Sequence, residues 1–326
     1  MYFDKAISIK PDYNLAKFSK SICFFHLRKF KEGWSLYEFR DHENYIKKLL
    51  NRYPKKNFKK DFSLKNKKIL IIHEQGFGDT IQFSRYIKNL LTLGCLIDFK
   101  PQKSLIELMT FLKLNINLVN EINNFKSYDY IIPLMSIPNI LDIDFENITQ
   151  NDQYIFPKIE KIKKWKTKLN LKKFNIGVNW QGSTKEADKG RSFRLSNFEE
   201  ISKISNVQLI SLQKYEGTDQ LNSFKGDIIN FDQELDSKSS FVDTAALLVN
   251  LDLVITSDTS IAHLAGSLGC KTWLVLQKTP DWRWGVDIDK MPNYKNMISF
   301  RQKNYGEWSH PFSKIKESLL KLLNEK

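Results

Sequence analysis

The chain has 326 residues, of which 41% are hydrophobic and 13% aromatic, and its formal net charge is +14. This length has room for two domains of ordinary size, and the apolar content is typical of a folded chain with a sizeable core rather than a disordered one. The first residues do not form a signal peptide, and the longest apolar runs are too short for a transmembrane segment.

The positive charge alone fits a nucleic-acid partner, an anionic membrane surface or a nucleotide-bearing substrate. Only eight of the 51 basic residues are arginine, and the lysines are spread along the chain. Nucleic-acid readers cluster arginine with stacking aromatics, a pattern that this sequence lacks, so we interpret the lysines as solvated and expect no nucleic-acid partner. The cysteines Cys23, Cys95 and Cys270 are too far apart for a disulfide framework or a zinc cluster, which predicts reduced thiols in the cytoplasm.

Residues 1–50 predict helices, because apolar residues recur at three- and four-residue spacing over 14–30 and 32–50. Gly33 falls in the interior of a predicted helical hairpin. The order of residues resembles one tetratricopeptide repeat with the tail of a preceding one. A single repeat cannot bury its apolar face, so this unit should dock on the rest of the chain or end a longer array. An unrelated helical hairpin is the alternative.

Residues 51–155 alternate between strand and helix patterns, which predicts a parallel sheet. The expected elements are a strand at 67–73, a helix at 80–94, a strand at 95–100, a helix at 104–113 and a strand at 128–134.

A turn at the end of the first of these strands carries Gly76, Gly78 and Asp79. Aspartate is a preferred residue at helix N-termini, so Asp79 can serve to cap the next helix. The carboxyl end of a parallel strand is also where ligands bind in α/β sheets, so Asp79 can instead be a catalytic base or a ligand contact.

A second alternation fills the domain predicted at 156–305, after a lysine-rich connection placed at 151–173. Its expected elements are strands at 174–180, 207–213, 252–258 and 271–277 and helices at 244–251 and 260–269. Residues 306–326 predict a terminal amphipathic helix.

The stretch after the 252–258 strand contains the densest group of polar residues. Ser257, Asp258, Thr259 and Ser260 lie at the start of a helix, whose free N–H groups and dipole form a potential anion site. His263 is four residues after Thr259 and therefore on the same side of the first turn, where it could bond a phosphate. The alternative is a Ser/Thr cap beside a bystander histidine. A cation at a helix N-terminus is unfavourable without an anion, which favours the phosphate site.

Several motifs occur together in a fixed order. GFGDTIQFSRYI begins at residue 76, and it is followed by IGVNWQGS, ISLQK, DTAALLVNLDLVITSDTSIAHLAGSLG and PDWRW. This ordered set, which covers most of residues 1–310, resembles the tetratricopeptide-linked glycosyltransferases related to the bacterial heptosyltransferases of glycosyltransferase family 9. The resemblance implies an α/β fold with two facing Rossmann-like domains, the GT-B arrangement, after an N-terminal TPR-like hairpin. It also implies that no metal or other cofactor is needed.

The resemblance implies a role for each matching residue. Asp79, with the acceptor-side glycines Gly76 and Gly78, matches the acid proposed as general base for the acceptor hydroxyl. The residues that match donor-binding positions are Gly182, Ser183, Arg191, Gln213, Lys214, Asp258, Thr259, Ser260 and His263. Asp281, Trp282 and Arg283 match a loop near the cleft. Arg194 stands where relatives often have proline, which leaves open whether Arg191 or Arg194 faces the diphosphate.

The expected reaction is transfer of a hexosyl or heptosyl group from a nucleotide sugar to a hydroxyl of a surface glycan or a protein, with inversion. Tetratricopeptide repeats often hold peptides, so the hairpin could contact a peptide partner. A nucleotide-sugar epimerase and an inactive scaffold that binds partners through its hairpin are the alternatives. A kinase or ATPase is disfavoured, because the sequence has no G-x-x-x-x-G-K-[ST] loop.

Overall fold

The computed structural model describes residues 2–57, 63–148, 153–183, 190–231, 233–286, 291 and 293–325. The chain divides into two compact units, Met1–Gln150 and Asn151–Lys326. Each unit contains helices and one all-parallel β-sheet. The predicted α/β class with parallel sheets is therefore confirmed.

The sheet of the first unit has the strand order β3-β2-β1-β4. Its central strand is an apolar run that is buried on both faces, as expected in a parallel sheet. Because β1 pairs with β2 on one side and β4 on the other, the loop after β1 lies at a point where the strand order reverses. The strands are β1 (Lys68–Ile72), β2 (Leu96–Lys100), β3 (Asn117–Leu118) and β4 (Tyr130–Pro133).

The same unit contains eight described helices: α1 (Tyr2–Ile9), α2 (Asn14–His26), α3 (Phe30–Tyr37), α4 (Asn44–Arg52), α5 (Phe77–Phe83), α6 (Ile87–Leu91), α7 (Ile106–Met109) and α8 (Ile137–Ile140). The helix predicted at 32–50 is wrong as one element, because the chain leaves helical geometry between α3 and α4. The helix predicted at 80–94 begins earlier, at Phe77, and contains a 3-10 turn between α5 and α6. The short strand β3 was not predicted.

The N-terminal helices share the core of the first unit. Gly33 lets α3 approach α2 closely, since a Cβ at this position would lie 2.4 Å from Cε1 of Phe25. On α3, the Trp34 ring meets the edge of Phe83 with centroids 5.8 Å apart. Ile46 of α4 is buried in one apolar cluster with Leu70 of β1. The helical segment is therefore docked on the sheet-bearing body of its own unit.

The sheet of the second unit has the order β10-β9-β8-β5-β6-β7, so its strand order reverses between β5 and β8. Its strands are β5 (Phe174–Asn179), β6 (Val207–Ser211), β7 (Ile228–Asn230), β8 (Leu253–Thr256), β9 (Thr272–Leu276) and β10 (Met297–Arg301). Its described helices are α9 (Ile159–Lys166), α10 (Glu199–Ser202), α11 (Val242–Leu248), α12 (Ser260–Ser267) and α13 (Ser309–Asn324). The strands β7 and β10 were not predicted.

The lysine-rich stretch expected to be only a connection contains α9. Trp165 of this helix is fully buried, and its indole N–H donates to Oδ1 of Asp243 on α11 at 3.0 Å. Lys161 pairs with the same carboxylate oxygen at 3.0 Å. Trp165 and Lys161 thus attach α9 to α11, although most residues of α9 are exposed. In the sequence, one apolar anchor among many lysines does not stand out as a helix signal.

Candidate functional site

A polar network crosses the carboxyl ends of β5 and β8, where Asn179 and Thr256 are register partners. The Thr259 hydroxyl donates to Oδ1 of Asn179 at 2.8 Å, and the Thr256 hydroxyl donates to the same oxygen at 3.3 Å. The Thr259 side chain therefore holds β5 and does not cap α12. Thr259 occupies the N-cap position with an extended backbone, but its side chain makes no capping hydrogen bond, so the alternative of a Ser/Thr side-chain cap does not apply to Thr259.

Gln213, predicted to bind the donor, organises the loop after β5. Its amide oxygen accepts from Nδ2 of Asn179 at 2.8 Å, and from the N–H groups of Trp180 and Gln181 at 3.1 and 3.0 Å. Its amide nitrogen donates to the carbonyls of Gln181 and Glu216, both at 2.8 Å. Both amide hydrogens are engaged, so the side chain shapes the loop from within the protein.

The next residue, Lys214, is half-buried and donates to the carbonyl of Leu235. Ser183 is exposed. Gly182, in the loop after β5, lies close to the N-terminus of α12. A Cβ on Gly182 would be 3.5 Å from Cγ2 of Thr259 and 3.6 Å from Nη2 of Arg191.

The two arginines left open by the sequence have different surroundings. Nη1 of Arg191 lies 3.9 Å from Oδ2 of Asp258, and its buried Nε has no hydrogen-bond partner among the described residues. Arg194 is exposed at the start of a 3-10 turn. Arg191 is thus the arginine that lies with the other predicted donor residues.

Polar side chains stand just before α12 and at its first residue. Ser260 is its first residue and is half-buried, whereas Ser257 is fully buried. The Ser257 hydroxyl has no partner within the described part of the chain. Unsatisfied buried hydroxyls are rare in folded proteins and often mark a place where a ligand or water binds.

Asp258 is buried, and its pKa is raised to about 6 by burial and by the nearby Asp281 carboxylate. Arg191, the Trp284 indole N–H and Arg283 oppose this shift without cancelling it. Asp281 itself accepts from the backbone N–H and from Nη1 of Arg283, at 3.0 and 2.9 Å. The loop 281–284 is therefore ordered beside Asp258, and its Trp282 is also buried.

His263 is buried between aromatic rings. Its imidazole stacks on Trp284 with centroids 4.8 Å apart, and its Nδ1 lies 3.1 Å from the Tyr294 hydroxyl. Gly266, one turn later on α12, leaves room for this tyrosine, since a Cβ there would be 2.3 Å from the ring. The sequence motif predicted His263 but not its two aromatic partners. A glycine inside a helix was the available signal, because it indicates close packing.

In the first unit, Asp79 is the third residue of α5 and is half-buried. Its Oδ2 accepts from the N–H of Gly76, the N-cap residue, at 3.0 Å. Gly78 is the second residue of the helix. Asp79 thus binds an N–H at the helix start, as the capping hypothesis predicts, and its role as a base remains a prediction.

Sequence reasoning missed a second carboxylate in this loop. Glu74 is 2% exposed and accepts from Nη2 and Nε of Arg40 at 2.6 and 3.1 Å. His42 Nδ1 and the Met135 N–H also bind it, at 2.9 and 3.1 Å. Burial raises the pKa of Glu74, but the Arg40 charge and these hydrogen bonds outweigh it and lower the pKa to about 2. A carboxylate directly after an apolar strand was the signal in the sequence.

Within the described ranges, no cluster of three or more His, Cys, Asp or Glu side chains could hold a metal ion. No helix in the described part of the chain has both the length and the apolar character needed to cross a membrane.

No protein-family model matches the chain. Protein FlbA of Caulobacter vibrioides is 21% identical over 336 residues, which include 94% of this chain and 55% of FlbA. The chain therefore spans about half the length of this curated relative.

Solved glycosyltransferase structures are similar in fold. The glycosyl transferase family 9 structure from Veillonella parvula has a TM-score of 0.62 at 11% identity, covering 82% of this chain and 100% of that one. The E. coli ADP-heptose LPS heptosyltransferase II has a TM-score of 0.56 at 13% identity, covering 79% of this chain and 100% of that one. At such low identity the likeness establishes a shared α/β fold.

Proposed function

We propose that this protein is a glycosyltransferase that moves a sugar from a nucleotide-sugar donor to an acceptor hydroxyl. The observation that carries the proposal lies just before α12: Nη1 of Arg191 is 3.9 Å from Oδ2 of the buried Asp258, and the hydroxyl of the adjacent residue, Ser257, is buried without a partner among the described residues. Two solved structures of similar fold are a family 9 glycosyltransferase and an ADP-heptose heptosyltransferase, which supports this class of reaction.

The second unit would bind the donor. The backbone N–H groups at the start of α12 and the Arg191 guanidinium can neutralise the diphosphate as it leaves with negative charge. Arg191 is preferred to Arg194 for this contact, because Arg194 is exposed and separate from the Asp258 group. Asp258 can accept hydrogen bonds from the sugar hydroxyls, which would offset the cost of its burial.

The first unit would bind the acceptor, with Asp79 as general base. A carboxylate that takes the proton of the attacking hydroxyl typically contributes about 10²–10⁴ in rate. Attack by that hydroxyl on the face opposite the leaving diphosphate inverts the anomeric centre. A GT-B arrangement of the two units and a cytoplasmic location belong to the same proposal; three free thiols support the location.

The acceptor is proposed to be a surface glycan or a protein segment, and the transferred group a hexose or a heptose. A tetratricopeptide-like role for α2 and α3, with a peptide as the partner, is supported by their close antiparallel packing through Gly33. Transfer without a metal is supported by the cationic and dipolar groups around α12.

A thermal-shift screen with ADP-, GDP- and UDP-sugars, followed by calorimetry on the best ligand, tests the donor site. Arg191→Gln should weaken nucleoside-diphosphate binding by about 1.5–3 kcal/mol, because it removes a charge-assisted hydrogen bond. Arg194→Gln is the matched control and should bind normally.

Product analysis then separates the alternatives. Release of an altered nucleotide sugar without any acceptor would identify an epimerase. If none of the three nucleotide-sugar classes raises the melting temperature or binds in calorimetry, the protein is a scaffold and the proposed function is wrong.

A further inference from the structure

The segment between α3 and α4 reaches the loop after β1 through Arg40. Besides its paired bonds to Glu74, the Arg40 guanidinium donates to the carbonyl of Tyr37 at 3.1 Å and to the hydroxyl of Ser136 at 2.9 Å. It therefore connects the end of α3, the carboxyl end of β1 and the turn after β4.

This connection is rigid for physical reasons. Arg40 is 5% exposed and Glu74 2% exposed, so their ion pair is shielded from water. Two parallel N–H···O bonds between a guanidinium and a carboxylate fix the orientation as well as the distance. His42 and the Met135 N–H occupy further acceptor positions on the same carboxylate. Glu74 consequently has little freedom to move.

Hydrogen bonds to Gln75 and Gly76 fix the turn between Glu74 and Asp79. Gln75 has a left-handed backbone with φ of 57°, and its N–H donates to Oε1 of Glu43 at 2.7 Å. Nε2 of Gln102 donates to the Gln75 carbonyl at 3.1 Å. The next N–H, that of Gly76, donates to the Asp79 carboxylate at 3.0 Å. A displacement of Glu74 would therefore be transmitted to Asp79.

We propose that Arg40 is a positioning residue for sugar transfer: through Glu74 it holds the Gln75–Gly76 turn, and so fixes the Asp79 carboxylate where it receives the acceptor proton. This inference rests on the proposed function, since it requires Asp79 to act as the base. The competing explanation is that the buried pair only attaches the helical segment to its unit.

Arg40→Lys tests the positioning role, because lysine keeps the charge but cannot form the paired bonds to Glu74. Turnover should fall by about 10²-fold, the effect of a small misplacement of a catalytic group, while donor affinity stays unchanged. Arg28→Lys is the matched control. Arg28 lies between α2 and α3, in the same group of N-terminal helices, and its guanidinium lies over the Phe145 ring at 4.7 Å, so the change perturbs docking without altering Glu74.

A double-mutant cycle with Asp79→Asn separates positioning from attachment. If Arg40 acts through Asp79, Arg40→Lys should lower the residual rate of the Asp79→Asn protein by less than about threefold. An undiminished loss in that background would overturn the proposal. Glu43→Ala changes an exposed residue, so it should fold even where Arg40→Lys does not. It should show the same dependence on Asp79 with a smaller loss of rate.

Hydrogen exchange of the backbone N–H groups at 73–80 gives a readout that needs no activity. Exchange should be faster in Arg40→Lys than in the wild type and the Arg28→Lys control. Unchanged exchange would overturn the proposal. A wild-type protein that transfers no sugar would refute the proposed function and, with it, the role of Arg40 in positioning a catalytic base. If the wild type is active but the losses from Arg40→Lys and Asp79→Asn are additive, only the positioning role of Arg40 is refuted.

Discussion

Two buried carboxylates, each in the loop after a strand at which the sheet order reverses, have opposite surroundings. Glu74, after β1, accepts from Arg40, His42 and a backbone N–H, and its pKa is lowered to about 2. Asp258, after β8, has an arginine nitrogen only as near as 3.9 Å, and its pKa is raised to about 6. The first carboxylate is stabilised as an anion, whereas the second is destabilised.

The difference separates a satisfied structural network from the site that we propose for the donor. Around Asp258, the Ser257 hydroxyl and Nε of Arg191 are buried and have no hydrogen-bond partner among the described residues. Buried polar groups are costly unless they are hydrogen-bonded, so a polar ligand that satisfies several of them gains more than it would on the surface. Around Glu74 the donors are already paired, so that network stiffens the neighbouring turn instead.

The largest expected effect comes from Asp79, which lies in the first turn of α5, just after the loop that contains Glu74. Asp79→Asn keeps the shape and the ability to bind the Gly76 N–H through its amide oxygen, so the melting temperature should be nearly unchanged. Loss of the proton acceptor should lower turnover by roughly 10²–10⁴. Donor affinity should stay the same. Wild-type turnover in Asp79→Asn would leave Asp79 as a capping residue only.

The two carboxylates should respond to pH with opposite sign. Because the pKa of Glu74 falls from 4.5 to about 2 on folding, its contribution is present above pH 4.5 and is lost as the pH falls towards 2. Because the pKa of Asp258 rises from 3.8 to about 6, it favours folding at low pH, and this contribution is lost as the pH rises through 6.

Urea titrations of the full chain between pH 2.5 and 8 measure this contrast. At pH 7, Glu74→Gln should lower the free energy of unfolding by about 3 kcal/mol, whereas Asp258→Asn should raise it by up to about 3 kcal/mol. The gain from Asp258→Asn should disappear at pH 4. A loss of stability on Asp258→Asn at pH 7 would mean that this carboxylate is as well satisfied as Glu74.

A smaller effect is expected from the histidine beside the unsatisfied group. His263→Ala should weaken nucleoside-diphosphate binding by about 1.5–3 kcal/mol if the imidazole bonds a charged phosphate. Tyr294→Phe is the matched control, because it removes the hydroxyl at Nδ1 and leaves the ring in place. Calorimetry with equal affinities for wild type and His263→Ala would make the histidine a packing partner of Trp284.

The smallest effect is expected from chelation. EDTA should leave transfer unchanged, because the helix dipole and Arg191 can carry the phosphate charge. Complete loss of activity in EDTA, restored by Mg²⁺ or Mn²⁺, would contradict this prediction.

The sequence by itself determined the fold class and the elements at the centre of each sheet. Strands such as β1, β8 and β9 are short continuous apolar runs, and such runs can be stable only when both faces are buried, so their position follows from local composition. The start of α12 follows likewise from a polar group directly after a strand. Edge strands such as β3 and β7 could not be predicted, because they are short and only partly buried.

Only the tertiary structure decided which side chains meet. Arg40 and Glu74 are 34 residues apart in the chain, and His263 and Tyr294 are 31 apart. Local spacing does not encode such pairs, because they depend on how separate elements pack. The same is true of charge balance: two similar carboxylates after two similar strands have opposite pKa shifts. Their surroundings are assembled from distant segments, and burial amplifies every difference between those segments.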